Sequence, residues 1–361
     1  MKKVNILLIE PYFTGAHKRW CEELCQYSSH EIDICSLPGR HWKWRMHGAA
    51  VQLSEKLNDL GKRYDLLLVS DYLDVATFKS LYFDQNVPIA IYFHENQISY
   101  PWSKRDDDLR LVRDNHYGWV NFTSALISDW CFFNSRYHMN SFLGLLPNFL
   151  SQFPDGNFSR SIESIEKKSE VLYLGLDLKN SNPIGKLNEE PVILWNHRWE
   201  YDKNPEEFFN ALESINDLDW KVMVLGESFG EYPAVFDQAR DKFRDRIVQW
   251  GFVESKEEYQ QLLSTCDIVI STAIQEFFGG SVVEAIHFGA HPLLPNRLSY
   301  PEHVKRDHLY ADYDQLKQKL RNLILLWDEK SELETSVFRY DWSVQIPIYN
   351  LAFTKLLNQL A

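Results

Sequence analysis

Short apolar runs recur along the whole chain, each ending against polar or glycine-containing residues. In the first half they are Val4–Ile9, Ile32–Cys35, Asp65–Ser70, Ile89–His94, Trp130–Asn134 and Val171–Leu174. Stretches with helical spacing or polar linkage separate most of them. Runs that do not alternate with polar residues suit strands buried on both faces, as in a parallel sheet covered by helices. A low-signal stretch, Asn180–Glu190, follows, rich in Asn, Pro, Gly and charge. The pattern then restarts with Val192–Trp195, Val222–Leu225, Ile247–Trp250, Asp267–Ser271 and Pro292–Leu294. The economical reading is α/β: two tandem Rossmann-like, doubly wound domains at residues 1–179 and 191–341, joined by a linker at 180–190. Ligand is expected outside the carboxyl ends of the strands. The last segment, Trp342–Leu360, has helical spacing and is expected to cross back onto the first domain. No repeat of 20–50 residues exists beyond this coarse duplication.

Composition narrows the class. A chain of 361 residues, 45% hydrophobic and 25% charged, suits two globular domains. No stretch approaches the ~18 consecutive apolar residues of a membrane helix. The apolar run at the N-terminus is too short for a signal peptide, and Glu10-Pro11 closes it where a strand is expected to end. The five cysteines are odd in number and scattered, which argues for reduced thiols and a cytoplasmic protein. A net charge of −13 argues against wrapping a long nucleic acid, while leaving room for one local basic patch.

Four segments carry chemical content. Tyr12–His17 (Tyr-Phe-Thr-Gly-Ala-His) follows the first strand, so Gly15 would open a helix whose first amides can hold an anion. It is no dinucleotide fingerprint, and an ordinary strand-to-helix turn is the alternative. His94, Glu95, Asn96 and Gln97 follow a wholly apolar strand, where four polar side chains suit a polar ligand; a structural His is the alternative. Arg198 and Lys203 lie in a loop leading to a helix that Pro205 begins. Two such cations can hold a diphosphate, with solvated surface charge as the bland reading. Glu276 and Glu284 flank Gly279 and Gly280. If a helix starts near Gly280, the carboxylates can hold sugar hydroxyls while the glycines leave amides open to phosphate.

The pair Glu276 and Glu284 after one strand, with Arg198 and Lys203 after an earlier one, resembles the retaining glycosyltransferases of the two-Rossmann (GT-B) fold. A narrower resemblance covers most of the chain. Glu10–His17, Trp42–Arg45, Tyr92–Gln97 with Tyr100-Pro101, His197–Glu200 with Asp202-Lys203, and Glu276–Gly279 are together similar to the tRNA-queuosine α-mannosyltransferase family. That resemblance implies transfer of mannose from GDP-mannose to the cyclopentenediol of queuosine at the wobble position of a tRNA. It places Arg198 and Lys203 on the donor diphosphate, Glu284 on the nucleotide ribose and Glu276 on the donor sugar. Gly15 becomes a phosphate-facing turn and His94 the active-site His beside the reacting sugar. Phe278, Gly279 and Gly280 complete the expected donor set. Gln275 precedes Glu276 where a His would be expected. No cofactor or metal is implied: Arg198, Lys203 and helix-start amides would stabilise the leaving group. No Asp-x-Asp follows a strand, and Asp106–Asp108 reads as solvated.

The acceptor surface is expected at Gly39–His47, a loop following the second strand, where Arg40, Lys43 and Arg45 interleave with Trp42 and Trp44. Cations among flat rings suit a single-stranded RNA loop; tryptophans packed under the sheet are the alternative. His17, Glu95, Asn96 and Gln97 join this acceptor set. Two other functions compete: a transferase of the same fold with another nucleotide sugar or a lipid or small-molecule acceptor, and a non-catalytic nucleotide-sugar or RNA-binding module. The candidate membrane-docking segment His17–Tyr27 carries only Lys18 and Arg19 as cations, which suits a membrane surface poorly.

Overall fold

The computed structural model describes residues 3–101, 115–178, 188–228, 232–327 and 337–360. The chain divides into two compact units, Met1–Asp177 with Trp342–Ala361, and Leu178–Asp341. Residues 179–187, which include most of the linker expected at 180–190, lie outside the described residues, as do Ser103–Asp114, including Asp106–Asp108.

In the first unit the strands are β1 (Asn5–Phe13), β2 (Glu31–Pro38), β3 (Leu66–Ser70), β4 (Ile89–Phe93), β5 (Trp130–Phe133) and β6 (Ser169–Val171). They form a sheet in the order β2-β1-β3-β4-β5-β6, with every neighbouring pair parallel. β3 and β4 are buried along their whole length, which is why they read as unbroken apolar runs. Leu7, Ile9, Leu67, Val69, Ile91 and Phe133 supply sheet residues of one core. The order reverses between β1 and β3, so the residues following those two strands flank a topological switch point.

The second unit repeats the plan with β7 (Val192–Asn196), β8 (Lys221–Leu225), β9 (Ile247–Gly251), β10 (Ile268–Ile270), β11 (His291–Pro295) and β12 (Leu309–Tyr310). Its parallel order is β12-β11-β10-β7-β8-β9, the Rossmann order, reversing between β7 and β10. Trp195, Phe208, Trp220 and Phe236 anchor its core.

The C-terminal helix Trp342–Leu360 returns to the first unit, as expected from its spacing. Trp342 N donates to Leu176 O at 2.9 Å, and its indole donates to Glu23 Oε2 at 2.6 Å. A Cβ on Gly175 would stand 2.4 Å from the Trp342 ring, so glycine is needed there for close approach.

Three expectations change. β1 does not stop at Glu10-Pro11 but continues to Phe13 through an irregularity in its pairing with β2, since Pro11 needs no ladder donor at such a break. β6 sits two residues earlier than expected. Gly39–His47 is not a loop throughout, because the helix Trp42–Leu60 begins inside it, entered through His41 at φ 57° without a side-chain cap.

Candidate active site

The switch point of the second unit gathers the residues expected on the donor side. After β7 the chain makes a short 3₁₀ turn at Tyr201–Lys203, passes Asn204 in left-handed conformation (φ 51°), and enters the helix Pro205–Glu213 with Pro205 at its first position. This turn buries Lys203, whose Nζ donates to Gln275 O at 2.7 Å. It also faces Asp202 Oδ2 at 3.1 Å and Glu276 Oε2 at 3.3 Å. Burial pulls the ammonium pKa down, but Glu276 and Asp202 outweigh it and hold the value above the ordinary lysine range. Arg198 lies nearer solvent and pairs with Glu200 at 3.3 Å. Gly226 after β8 has φ 139°, and a Cβ there would meet His197 O at 1.8 Å; only glycine lets the end of β8 approach the loop that carries Arg198.

After β10, Thr272 Oγ1 donates to the carbonyls of Lys203 and Asn204, and the Arg297 guanidinium grips Ala273 O. The segment Gln275–Gly279 is thereby tied to the β7 loop. Gly279, at φ 84°, caps the helix Gly280–His287 without a side-chain acceptor for its first amides, leaving a helix start of the kind that binds anions. Glu284 lies in the second turn of this helix. Tyr259 OH donates to Glu284 Oε2 at 3.1 Å while accepting from Asn196 Nδ2 at 2.8 Å, so strand β7 and the helix Lys256–Thr265 together orient the carboxylate.

Phe278, expected in the donor set, has its side chain and carbonyl committed to the fold. Its ring is buried against His303 and Tyr340, and it acts through its carbonyl, which accepts from Ser299 Oγ at 2.9 Å and His303 Nε2 at 2.5 Å. Because a carbonyl only accepts, His303 carries its proton on Nε2, leaving Nδ1 to accept from Tyr340 OH at 2.9 Å. Burial pushes His303 down to about 4, so the ring is neutral and the tautomer fixed.

The first unit gathers a second constellation around its own switch point. Glu10, fully buried in β1, accepts from Tyr12 N at 2.8 Å and Ser70 Oγ at 2.9 Å on Oε1; on Oε2 it meets His17 Nδ1 at 3.1 Å. His17 lies in the first turn of the helix Gly15–Tyr27, and its ring centroid is 4.2 Å from that of His94, which follows β4. Burial alone would lower His17. Glu10, by charge and hydrogen bond, with Asp71 and Glu95 behind it, lifts it instead to about 9. His94 behaves oppositely, since burial and the His17 charge drive it well below the ordinary imidazole value. Its Nε2 is sealed from solvent with no hydrogen-bond partner among the described residues. Gly15 has φ 50° with open space where a Cβ would stand.

Glu95 accepts from Tyr72 OH at 2.7 Å and Gln97 Nε2 at 2.9 Å. Asn96 and Gln97, expected as acceptor contacts, are tied into the loop after β4. Asn96 Oδ1 caps the amides of Ile98 and Ser99, and Gln97 N donates to Asn121 Oδ1, so both shape the loop. Arg45, expected on the acceptor surface, is buried, and its guanidinium donates to Pro38 O at 3.0 and 3.2 Å. Arg40 and Trp44 are exposed, while Trp42 packs on Tyr117 with Lys43 Nζ over its ring. Sequence reasoning gave no role to Asp71, Tyr259 or His303, which act through partners distant in sequence, and quoted Glu10 without a role of its own.

Among the described residues one grouping is compact enough to be tested as a metal site. Glu10, His17 and His94 bring ligand atoms within 4.8 Å of one another. The hydrogen bond joining Glu10 to His17 and the cationic state its carboxylate neighbours favour make an ion pair the better description.

Two parallel-sheet units in one chain, each with its own switch point, are the architecture of the GT-B glycosyltransferases that this chain matches. The solved structures agree in fold: Anabaena HepE in complex with UDP and glucose superposes with a TM-score of 0.67, at 13% identity over 98% of this chain and 100% of that one. Sucrose-phosphate synthase from Thermosynechococcus elongatus gives 0.70 at 13%, covering 98% and 99%. Residues 178–336 match the model for glycosyl transferases group 1, and residues 5–176 that for the tRNA-queuosine alpha-mannosyltransferase N-terminal domain. A tRNA-queuosine alpha-mannosyltransferase of Drosophila melanogaster is 36% identical over 337 residues, 89% of this chain and 87% of the relative. The chain belongs to the tRNA-queuosine alpha-mannosyltransferase family.

Proposed function

We propose that this glycosyltransferase moves mannose from GDP-mannose to the cyclopentenediol of queuosine at the wobble position of a tRNA, with retention and in the cytoplasm. The observation that carries the reading is Lys203, held charged on Glu276 beside the open start of the helix Gly280–His287, in a chain of this family. In this proposal residues 191–341 bind the donor, and residues 1–179 with the C-terminal helix bind the acceptor.

Charge grows on the diphosphate as the bond from the anomeric carbon to the phosphate oxygen breaks. Arg198, Lys203 and the amides at Gly279 and Gly280 are preorganised to stabilise it. Glu284 holds the nucleotide ribose and Glu276 the sugar, while Gly15 faces phosphate and His94 lies beside the reacting sugar. The acceptor oxygen bonds to the anomeric carbon on the face the phosphate leaves, and its proton passes to the departing phosphate oxygen. His17, Glu95, Arg40, Trp42, Lys43 and Trp44 form the acceptor side.

The test is incubation with radiolabelled GDP-mannose and tRNA with or without queuosine. Label entering only the queuosine tRNA is expected, and it should persist in EDTA because fixed cations replace an ion. Label in neither RNA would overturn the acceptor. Loss in EDTA restored by Mg²⁺ or Mn²⁺ would overturn the metal-free mechanism.

A further inference from the structure

Glu10 is an unusual residue for a strand interior: a fully buried carboxylate with both oxygens engaged. Two neutral donors, Tyr12 N and Ser70 Oγ, fix Oε1, which leaves Oε2 aimed at one edge of the His17 ring. Since Nδ1 is held there, Nε2 is the donor His17 has left for a ligand. The groups around the ring are Glu10 and Tyr12 from β1, Asp71 and Tyr72 after β3, and His94 and Glu95 after β4. Three of these six bear carboxyl groups: Glu10, Glu95 and Asp71, the last pushed well above the ordinary carboxylate range by burial. A base that must accept a proton would be poorly served by such company, whereas a cation that must donate is well served.

We infer that Glu10 is a positioning residue that clamps His17 through Nδ1, so that His17 meets the acceptor as an imidazolium donating from Nε2 and not as the base that deprotonates it. The inference rests on the transferase reading above and adds to it which group does not take the proton. The bond from the acceptor oxygen to the anomeric carbon forms as the phosphate leaves, and the hydroxyl proton departs with that phosphate. His17 keeps its own proton throughout and holds an oxygen of the acceptor's hydroxyl pair. His94, neutral and with its Nε2 unpartnered among the described residues, is the adjoining polar group.

The experiment has two arms. In the first, histidine-labelled full-length protein is titrated by NMR, with His17→Gln identifying the resonance. The wild-type ring should stay charged until about pH 9. In Glu10→Gln it should titrate about two units lower, because the nearest charge and the hydrogen bond to it are gone. Glu10→Asp, which keeps the charge but withdraws it by one methylene, should fall between and also covers the case that Glu10→Gln does not fold. In the second arm, mannose transfer to queuosine tRNA is followed against pH. The wild-type rate should fall only above about pH 9, where His17 loses its proton. The fall in Glu10→Gln should begin at correspondingly lower pH with a raised acceptor KM. An unchanged His17 titration in Glu10→Gln, or a rate lowered equally at every pH, would overturn the inference. If the NMR arm behaves as expected while wild-type protein labels no queuosine tRNA, the transferase reading fails and the Glu10–His17 ion pair stands.

Discussion

Lys203 and Arg198 carry the same charge in the same loop, but burial separates their work. Lys203 is buried against the fully buried Asp202 and the partly exposed Glu276, so removing it takes a counter-ion from both carboxylates, a change that for a buried pair typically costs about 3–5 kcal/mol. Arg198 is half exposed and its partner Glu200 is partly exposed, so its loss should disturb the fold little. Arg198→Ala should therefore melt near the wild-type temperature yet lose kcat by ~10²–10³-fold, since leaving-group charge peaks in the transition state. A variant with raised KM and unchanged kcat would contradict that role. The two glutamates should separate as well. Glu284 is aligned by the Tyr259 hydroxyl, whereas Glu276 faces the buried Lys203 ammonium. Glu284→Gln should weaken GDP binding about tenfold in a calorimetric titration. Glu276→Gln should change discrimination between GDP-mannose and GDP-glucose and also lower the melting temperature, because Lys203 loses a counter-ion. Equal effects of both variants on GDP affinity would refute the division.

At the scale of elements, the loop between β10 and the helix Gly280–His287 is held by groups that must stay neutral. His303 donates from Nε2 to Phe278 O and accepts at Nδ1, an arrangement a second ring proton would break. Burial holds it down to about 4, and burial with the Lys203 charge holds His197 down to about 3. The sign follows directly: the unfolded chain binds these protons near pH 6.5 and the folded one does not. Stability is therefore present above about 6.5 and is lost as pH falls toward about 4, on the order of 3 kcal/mol for His303. His303→Gln keeps a donor for the carbonyl and has no proton to gain. It should start less stable, and the gap in melting temperature from wild type should narrow between about pH 7 and about pH 5. A constant gap would show that His303 is not held neutral. This pinning is not legible in the sequence, because His303 acts on a residue 25 positions away. What is legible are strands apolar on both faces, such as β3, β4 and β7, and the helix start that Pro205 announces. β12, two residues long, offers no periodicity to detect. The helix at Trp42 reads as loop because His41 is not a capping residue. Glu10 reads as the end of a strand because its partners, Ser70 and His17, meet it only through the fold.

For the whole molecule, an acidic chain that recognises an RNA must concentrate its attraction locally. At a net charge of −13 the long-range field opposes a polyanion, so affinity has to come from a few cations close to phosphate and from rings that stack on bases. The surface at the start of the helix Trp42–Leu60 has that character: Arg40 and Trp44 are exposed, and Lys43 lies over the Trp42 ring. Arg45 does not share it, since its guanidinium is committed to Pro38 O, and it provides an internal contrast. Replacing Arg40 and Lys43 with Ala should weaken tRNA binding and flatten its dependence on salt, by up to ~0.7–0.9 in the log–log slope for each phosphate no longer neutralised. Arg45→Ala should instead lower thermal stability while leaving that slope near wild type. Trp44→Ala should weaken binding at every salt concentration without changing the slope, because stacking releases no counterions. If the Arg40 and Lys43 variant binds tRNA normally from low to high salt, the attraction resides elsewhere, and the cations of the charged segment Lys104–Arg113 are the next to replace.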